Sequence, residues 1–172
     1  MNNVLLWMVL PFAALYFILY AKFAWYARTL STQRFAVMWG GLYKKPHIYF
    51  FVLTFLLSSV GGILTFYLHV QFTSDSNIFP AFLFIILNVS CVICIYAIDS
   101  DNVKVVRICL WTNVVACIIL FAYTIVAFHV DDNVVDNPTL LYITHICNAV
   151  AIFHVAFMDL IIWWHGWMEN YE

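Results

Sequence analysis

The sequence predicts an all-α integral membrane protein, a bundle of five transmembrane helices. Of its 172 residues, 66% are hydrophobic and only 9% are charged. In soluble domains about half of the residues are apolar and about a quarter are charged. So few charged residues cannot cover so much apolar surface, which makes the bilayer the natural solvent. Five apolar runs also reach the roughly 20 residues that a helix needs to cross the hydrocarbon.

The five predicted helices form one polytopic membrane domain with short loops between them. Pro46 is expected at the first position of the second helix, where its missing N–H group costs little. Asn77 and Asn102 are expected to cap the third and fourth helices, and Asn137 with Pro138 marks the start of the fifth. The predicted helices cover residues of about 4–26, 46–70, 78–98, 103–129 and 138–165.

The basic residues predict the orientation of the bundle. With five spans, the first and third interhelical loops lie on the same side as the C-terminus, and every lysine and arginine falls there. These residues are Lys22, Arg28, Arg34, Lys44, Lys45, Lys104 and Arg107. The positive-inside rule therefore predicts the N-terminus outside and the C-terminus in the cytoplasm, with Asp131, Asp132 and Asp136 in an outer loop.

The second helix carries a stripe of small and polar residues within a sector of about 100°. A pair of small residues four positions apart, such as Ser58 and Gly62, lets another helix approach closely. The stripe therefore predicts close helix packing, with a polar pathway as the alternative. Its members are Thr54, Ser58, Gly61, Gly62, Thr65 and His69.

Four polar residues on different helices share one depth. At a rise of about 1.5 Å per residue, each lies within about 5 Å of the midplane of its helix. They are Ser58, Asn88, Asn113 and His154. We expect an interhelical hydrogen-bond network that holds the helices together, and a proton or ion relay is the sharper alternative.

Asp159 is the only acidic residue within an apolar span. A carboxylate costs roughly 2.5–3.5 kcal/mol at the centre of a span, so Asp159 should be paired or protonated. Arg107 and Lys22 lie at similar predicted depths and are the candidate partners for an ion pair. Arg107 is preferred over Lys22, because arginine can bind both carboxylate oxygens. An α-helical projection places Asp159 on the same face as His145 and Asn148, opposite His154 and His165.

The histidines give weaker hypotheses about a cofactor. His69, His129 and His145 are candidate metal ligands near the outer surface, close to Asp131 and Asp132. Imidazole and carboxylate suit zinc or copper, and two histidines on facing helices could hold a haem. Their spacing is not that of a tight ligand pair, so the sequence predicts no cofactor.

The leading functional prediction is a non-catalytic accessory subunit or scaffold within a larger membrane assembly. The chain contains no Gly-rich phosphate loop, no His-Glu-x-x-His motif and no Gly-x-Ser-x-Gly motif, so an enzyme is not favoured. The alternatives are a channel or carrier that uses the midplane polar residues, and a redox protein with haem or metal bound to histidine. Its expected partners are the lipid bilayer and other membrane proteins or a second copy. A net charge of −2 gives no basic field for nucleic acid.

Overall fold

The protein is all-α over the residues that its computed structural model describes, which are 2–29, 47–74, 76–129, 135 and 137–169. The fifth long helix, α5, continues into a π-helical segment and then into the short helix α6. This confirms the predicted helical class. The helices are α1 (Asn3–Thr29), α2 (His47–Phe72), α3 (Phe79–Asp99), α4 (Val103–His129), α5 (Pro138–Phe153), the π-helical segment (His154–Trp163) and α6 (Trp164–Glu169).

Four of these helical stretches are long and apolar enough to cross a membrane. The described apolar part of α1, Asn3–Leu19, is shorter than these four stretches. The basic segment between α1 and α2 and the acidic residues 131, 132 and 136 lie outside the described residues. The four candidate spans are Tyr49–Phe72, Phe79–Ile98, Val103–His129 and Pro138–Trp163.

The helices pack as neighbouring pairs rather than around one centre. The most extensive contacts join α3 to α4, α2 to α5, and α1 to α3, while α4 also contacts α5 and the π-helical segment. Cys94, Val106 and Trp163 belong to a buried cluster at the end of the bundle that holds the α3–α4 loop. At the other end, Leu5, Val70 and further residues of α3 and α4 form a second cluster.

The tight α3–α4 connection ends one helix and starts the next. Asp101 adopts a left-handed conformation with φ of 55°, and the N–H group of Asn102 donates to the carbonyl oxygen of Ala97 at 2.8 Å. This pattern satisfies carbonyl groups at the end of α3. The side chain of Asn102 then accepts from the N–H group of Val105 at 3.2 Å, as the sequence predicted for a cap.

The two other predicted caps have different outcomes. Asn137 caps α5, because its side-chain oxygen accepts from the N–H group of Leu140 at 3.2 Å. The prediction for Asn77 was wrong, since Ile78 is the N-cap of α3 and makes no side-chain cap. The side-chain oxygen of Asn77 accepts instead from the hydroxyl of Tyr123 at 2.7 Å, so a tertiary contact takes the place of the cap.

Asn2 fixes the start of α1 against the loop between α2 and α3. Its side-chain oxygen caps α1 by accepting from the N–H group of Leu5 at 2.9 Å. Its side-chain amide donates to the carbonyl oxygens of Ser74 and Asn77 at 2.7 and 2.9 Å. Its backbone N–H group donates to the carbonyl oxygen of Val70. The fully buried Asn2 side chain therefore ties α1 to the C-terminal end of α2.

Candidate functional site

Buried polar side chains concentrate between α2 and α5. The backbones of the two helices approach closely at Gly61, where an added Cβ would lie 2.9 Å from the carbonyl carbon of Cys147. Gly62, the other glycine of the stripe, has open space at the same position. The predicted small-residue stripe therefore does admit a second helix, and Gly61 is the residue that permits the approach.

Thr65 and Asn148 form a reciprocal pair across this interface. The Thr65 hydroxyl donates to the amide oxygen of Asn148 at 3.0 Å, and the amide nitrogen of Asn148 donates to the same hydroxyl at 2.7 Å. Both side chains are buried. Because each is a donor and an acceptor, the pair satisfies polar groups that would otherwise be costly in an apolar environment.

A second cluster of polar side chains at this interface consists of Thr54, His154 and Asp159. The Thr54 hydroxyl oxygen lies 2.9 Å from His154 Nδ1, and His154 Nε2 lies 3.6 Å from Asp159 Oδ1. His154 is buried, whereas the Asp159 side chain is 26% exposed. The ring of Phe51 covers the imidazole at a centroid distance of 4.8 Å.

The π-helical segment explains why His154 and Asp159 meet. Residues five apart lie about 140° apart on an α-helix, which is why the sequence predicted opposite faces for them. In the structure the N–H group of Trp164 donates to the carbonyl oxygen of Asp159, five residues earlier. This wider i→i+5 turn places residue 159 nearly above residue 154. The expectation of opposite faces was therefore wrong, because it assumed α-helical geometry throughout.

The partner that the structure gives Asp159 differs from those expected from the sequence. Within the described parts of the chain, no ion pair joins Asp159 to Arg107 or Lys22, and the group that faces it is His154. Arg107 and Lys22 have exposed side chains. Sequence reasoning missed His154 because histidine and aspartate at i, i+5 are neighbours only on a π-helix.

The Thr54–His154–Asp159 arrangement can hold one exchangeable proton. The Thr54 hydroxyl also lies within hydrogen-bonding distance of the carbonyl oxygens of Phe50, at 2.9 Å, and Phe51, at 3.1 Å. When the hydroxyl proton is donated to one of these carbonyl oxygens, Nδ1 of His154 is the donor to Thr54. An attractive contact between Nε2 and the carboxyl group needs a proton on one of the two. In that arrangement the pair is either an imidazolium with a carboxylate or a neutral imidazole with a carboxylic acid.

The three candidate metal ligands separate into two places. His69 is fully buried, with Nε2 lying 3.1 Å from the hydroxyl of Thr124 and its ring stacked on Tyr123. His129 and His145 come together instead, with their Nε2 atoms 2.9 Å apart. That distance fits a hydrogen bond between the two rings. Among the described residues, no group of three His, Cys, Asp or Glu side chains could hold a metal ion.

Among the hydrogen bonds of the described residues, none joins one of the four midplane residues to another. Ser58 and Asn88 donate to carbonyl oxygens of their own helices, those of Thr54 and Phe84, at 2.6 and 2.7 Å. Asn113 donates to the sulfur of Cys91 across the α3–α4 interface at 3.6 Å. Like His154, it thus bonds to a partner outside the predicted set.

Comparison of the chain with protein-family models, with curated proteins and with solved structures found no match. The arguments about function below therefore start from the geometry of the described residues.

Proposed function

We propose that the protein is a non-catalytic subunit or scaffold of a larger membrane assembly. The observation that carries this proposal is how its buried polar groups are used. Several of these groups join one helix to its neighbour, and such bonds contribute about 0.6 kcal/mol on average in membrane proteins. They favour a fixed bundle over a common reaction centre. The contacts are Thr65 with Asn148, His69 with Thr124, and Ser90 with the carbonyl group of Cys109.

The outward faces of α1 and α2 supply a surface for partner proteins. Trp7 and Phe17 on α1 are 72% and 63% exposed, and Tyr49 and Ile63 on α2 are 62% and 63% exposed. Aromatic side chains are enriched at protein interfaces because they bring large contact areas. We therefore assign the partner contacts of the proposed subunit to α1 and α2.

This assignment has a direct crosslinking test. A photoreactive phenylalanine analogue at Ile63 should crosslink to another membrane protein in native membranes. At Ile108 of α4, which is similarly exposed at 64%, the same group should not. Purification in mild detergent should recover the crosslinked protein in fixed stoichiometry. A chain that purifies alone, with no protein crosslink at Phe17 or Ile63, would contradict the subunit proposal.

We also propose that α1 is a fifth span, with the N-terminus outside. At 27 residues α1 is about 40 Å long, which exceeds the hydrocarbon thickness of roughly 30 Å. The contacts of Asn2 with Val70 and Ser74 support a start of α1 at the level where α2 ends. The positive-inside rule supplies the direction.

A second candidate function, a proton carrier or channel, is favoured by the His154–Asp159 pair. Ionisable residues inside a span are expensive and often belong to proton relays, and π-helical turns are frequent at functional sites. The exposed part of Asp159 would take up or release the proton, and His154 would hold it beneath Phe51 and Thr54.

Proton flux in liposomes tests this second candidate. The purified protein alone should collapse a pH gradient that is reported by an enclosed dye. His154→Gln and Asp159→Asn should each abolish the flux, whereas Ser90→Ala should leave it unchanged because Ser90 joins α3 to α4. Equal flux from all of these variants would exclude a relay through the pair.

A further inference from the structure

A long groove runs between α3 and α4 on the outside of the bundle. It encloses about 740 Å³. Residues of α4 from Lys104 to Ile119 line its length, and Leu83 and Ile86, in the first turns of α3, line its other side at the end away from Lys104. The α4 residues recur every three or four positions, so they belong to one helical face. At a rise of about 1.5 Å per residue this face is about 22 Å long.

The two ends of the groove differ in charge. Ile108, Val115 and Ile119 make its middle and far end apolar, whereas Lys104 and Arg107 stand together at the near end. Both cations lie in the first two turns of α4 and are exposed. Among the side chains that the structure describes, neither of them forms an ion pair with a carboxylate. The groove is thus apolar along most of its length and carries two positive charges at one end.

We propose that this groove is a binding site for one anionic glycerophospholipid of the surrounding leaflet. Its length covers the roughly 15 Å of hydrocarbon in one leaflet, so an acyl chain can lie along Ile108 and Val115. Lys104 and Arg107 can extend to the interface and bind the phosphate oxygens, arginine with two parallel hydrogen bonds. Basic pockets between transmembrane helices on the cytoplasmic side bind anionic headgroups in the same way.

Charge complementarity selects this occupant over a zwitterionic lipid or a partner helix. A zwitterionic headgroup would bring its own cation close to Lys104 and Arg107. An apolar partner helix would offer no counter-charge to either cation. The anionic lipid satisfies the charged end and fills the apolar length at the same time. This inference is independent of whether the bundle is a subunit or a proton carrier.

Lipid retention by the purified protein tests whether Lys104 and Arg107 bind an anionic headgroup. Delipidated protein in detergent is incubated with phosphatidylglycerol or with phosphatidylcholine, and the bound lipid is counted by native mass spectrometry. The protein should retain one phosphatidylglycerol and little phosphatidylcholine. Combined Lys104→Gln and Arg107→Gln changes should weaken retention about 30-fold, which corresponds to about 2 kcal/mol. Lys22→Gln removes an exposed cation of α1 outside the groove and should have no such effect.

A second pair of variants tests the apolar length. Val115→Trp should fill the groove and displace phosphatidylglycerol. Ile118→Trp, at an exposed position of the same helix outside the groove, should retain the lipid. A loss of lipid with Lys22→Gln as large as the loss with the combined Lys104→Gln and Arg107→Gln changes would mean general surface attraction and would overturn the proposal. It would also be overturned by retention that Val115→Trp does not change, or by a partner protein that Val115→Trp displaces.

Discussion

Replacing Gly61 with alanine tests the α2–α5 interface at its closest point. The new Cβ would lie 2.9 Å from both the carbonyl carbon and the Cβ of Cys147, and 3.0 Å from its carbonyl oxygen. Two of these three atoms belong to the backbone of α5, so no side-chain rotation can relieve the contact. We therefore expect Gly61→Ala to push α2 and α5 apart.

The magnitude follows from the size of the displacement. Carbon atoms pack best at about 3.5–4.0 Å, so the helices would have to separate by about 0.6 Å at this point. The flanking bonds of Thr65 to Asn148 and of Thr54 to His154, now 2.7–3.0 Å long, would be stretched as well. Overpacking of this kind costs about 1–3 kcal/mol.

Gly62→Ala is the matched control, because nothing lies within 4 Å of a Cβ at Gly62. Both changes gain the same intrinsic helix propensity of roughly 1 kcal/mol, so the difference between them isolates the steric contribution. Unfolding in mixed micelles with increasing SDS should show Gly61→Ala less stable than Gly62→Ala by about 1–3 kcal/mol. Equal unfolding midpoints would refute the close approach of α2 and α5 at this position.

Three further predictions concern the ends of the helices. Asn2→Ala removes the cap of α1 and leaves carbonyl groups of the α2–α3 loop without donors, so it should destabilise the protein by about 1–3 kcal/mol in thermal unfolding in detergent. In the same assay Asp101→Gly should stabilise by up to about 1 kcal/mol, because glycine adopts the left-handed conformation without steric cost. In intact cells, an impermeant maleimide should label Ser76→Cys but not Ser100→Cys. The reverse labelling pattern would refute the proposed orientation.

Helix positions were predictable because each span is a long apolar run with recognisable ends. The fourth helix was predicted at 103–129 and is Val103–His129 in the structure. Asn102 and Asn137 cap their helices as expected, since the cap is a local contact over three residues. The prediction that Asn77 caps α3 was wrong because its side chain instead bonds to Tyr123, 46 positions away in sequence.

The packing of the helices was much less predictable than their positions. In a soluble helix the apolar face marks the core, but lipid is as apolar as the core, so hydrophobicity does not reveal the packed face of a span. Small residues are the remaining signal, and they correctly indicated α2. Even there, the sequence does not show which of Gly61 and Gly62 lies against the neighbouring helix. Only the structure shows that Gly61 lies against Cys147 of α5.

The partner of Asp159 could not be predicted from depth in the membrane alone, because it depends on local backbone geometry. Arg107, Lys22 and Asp159 share a predicted depth, but two residues must also face each other to form an ion pair. The π-helical segment turns Asp159 toward His154, and Arg107 faces the outer groove with Lys104. The change of helix type therefore accounts for the contact between Asp159 and His154. It gives the half-buried carboxyl group a titratable partner on its own helix, while the two cations of α4 line the groove on the outside of the bundle.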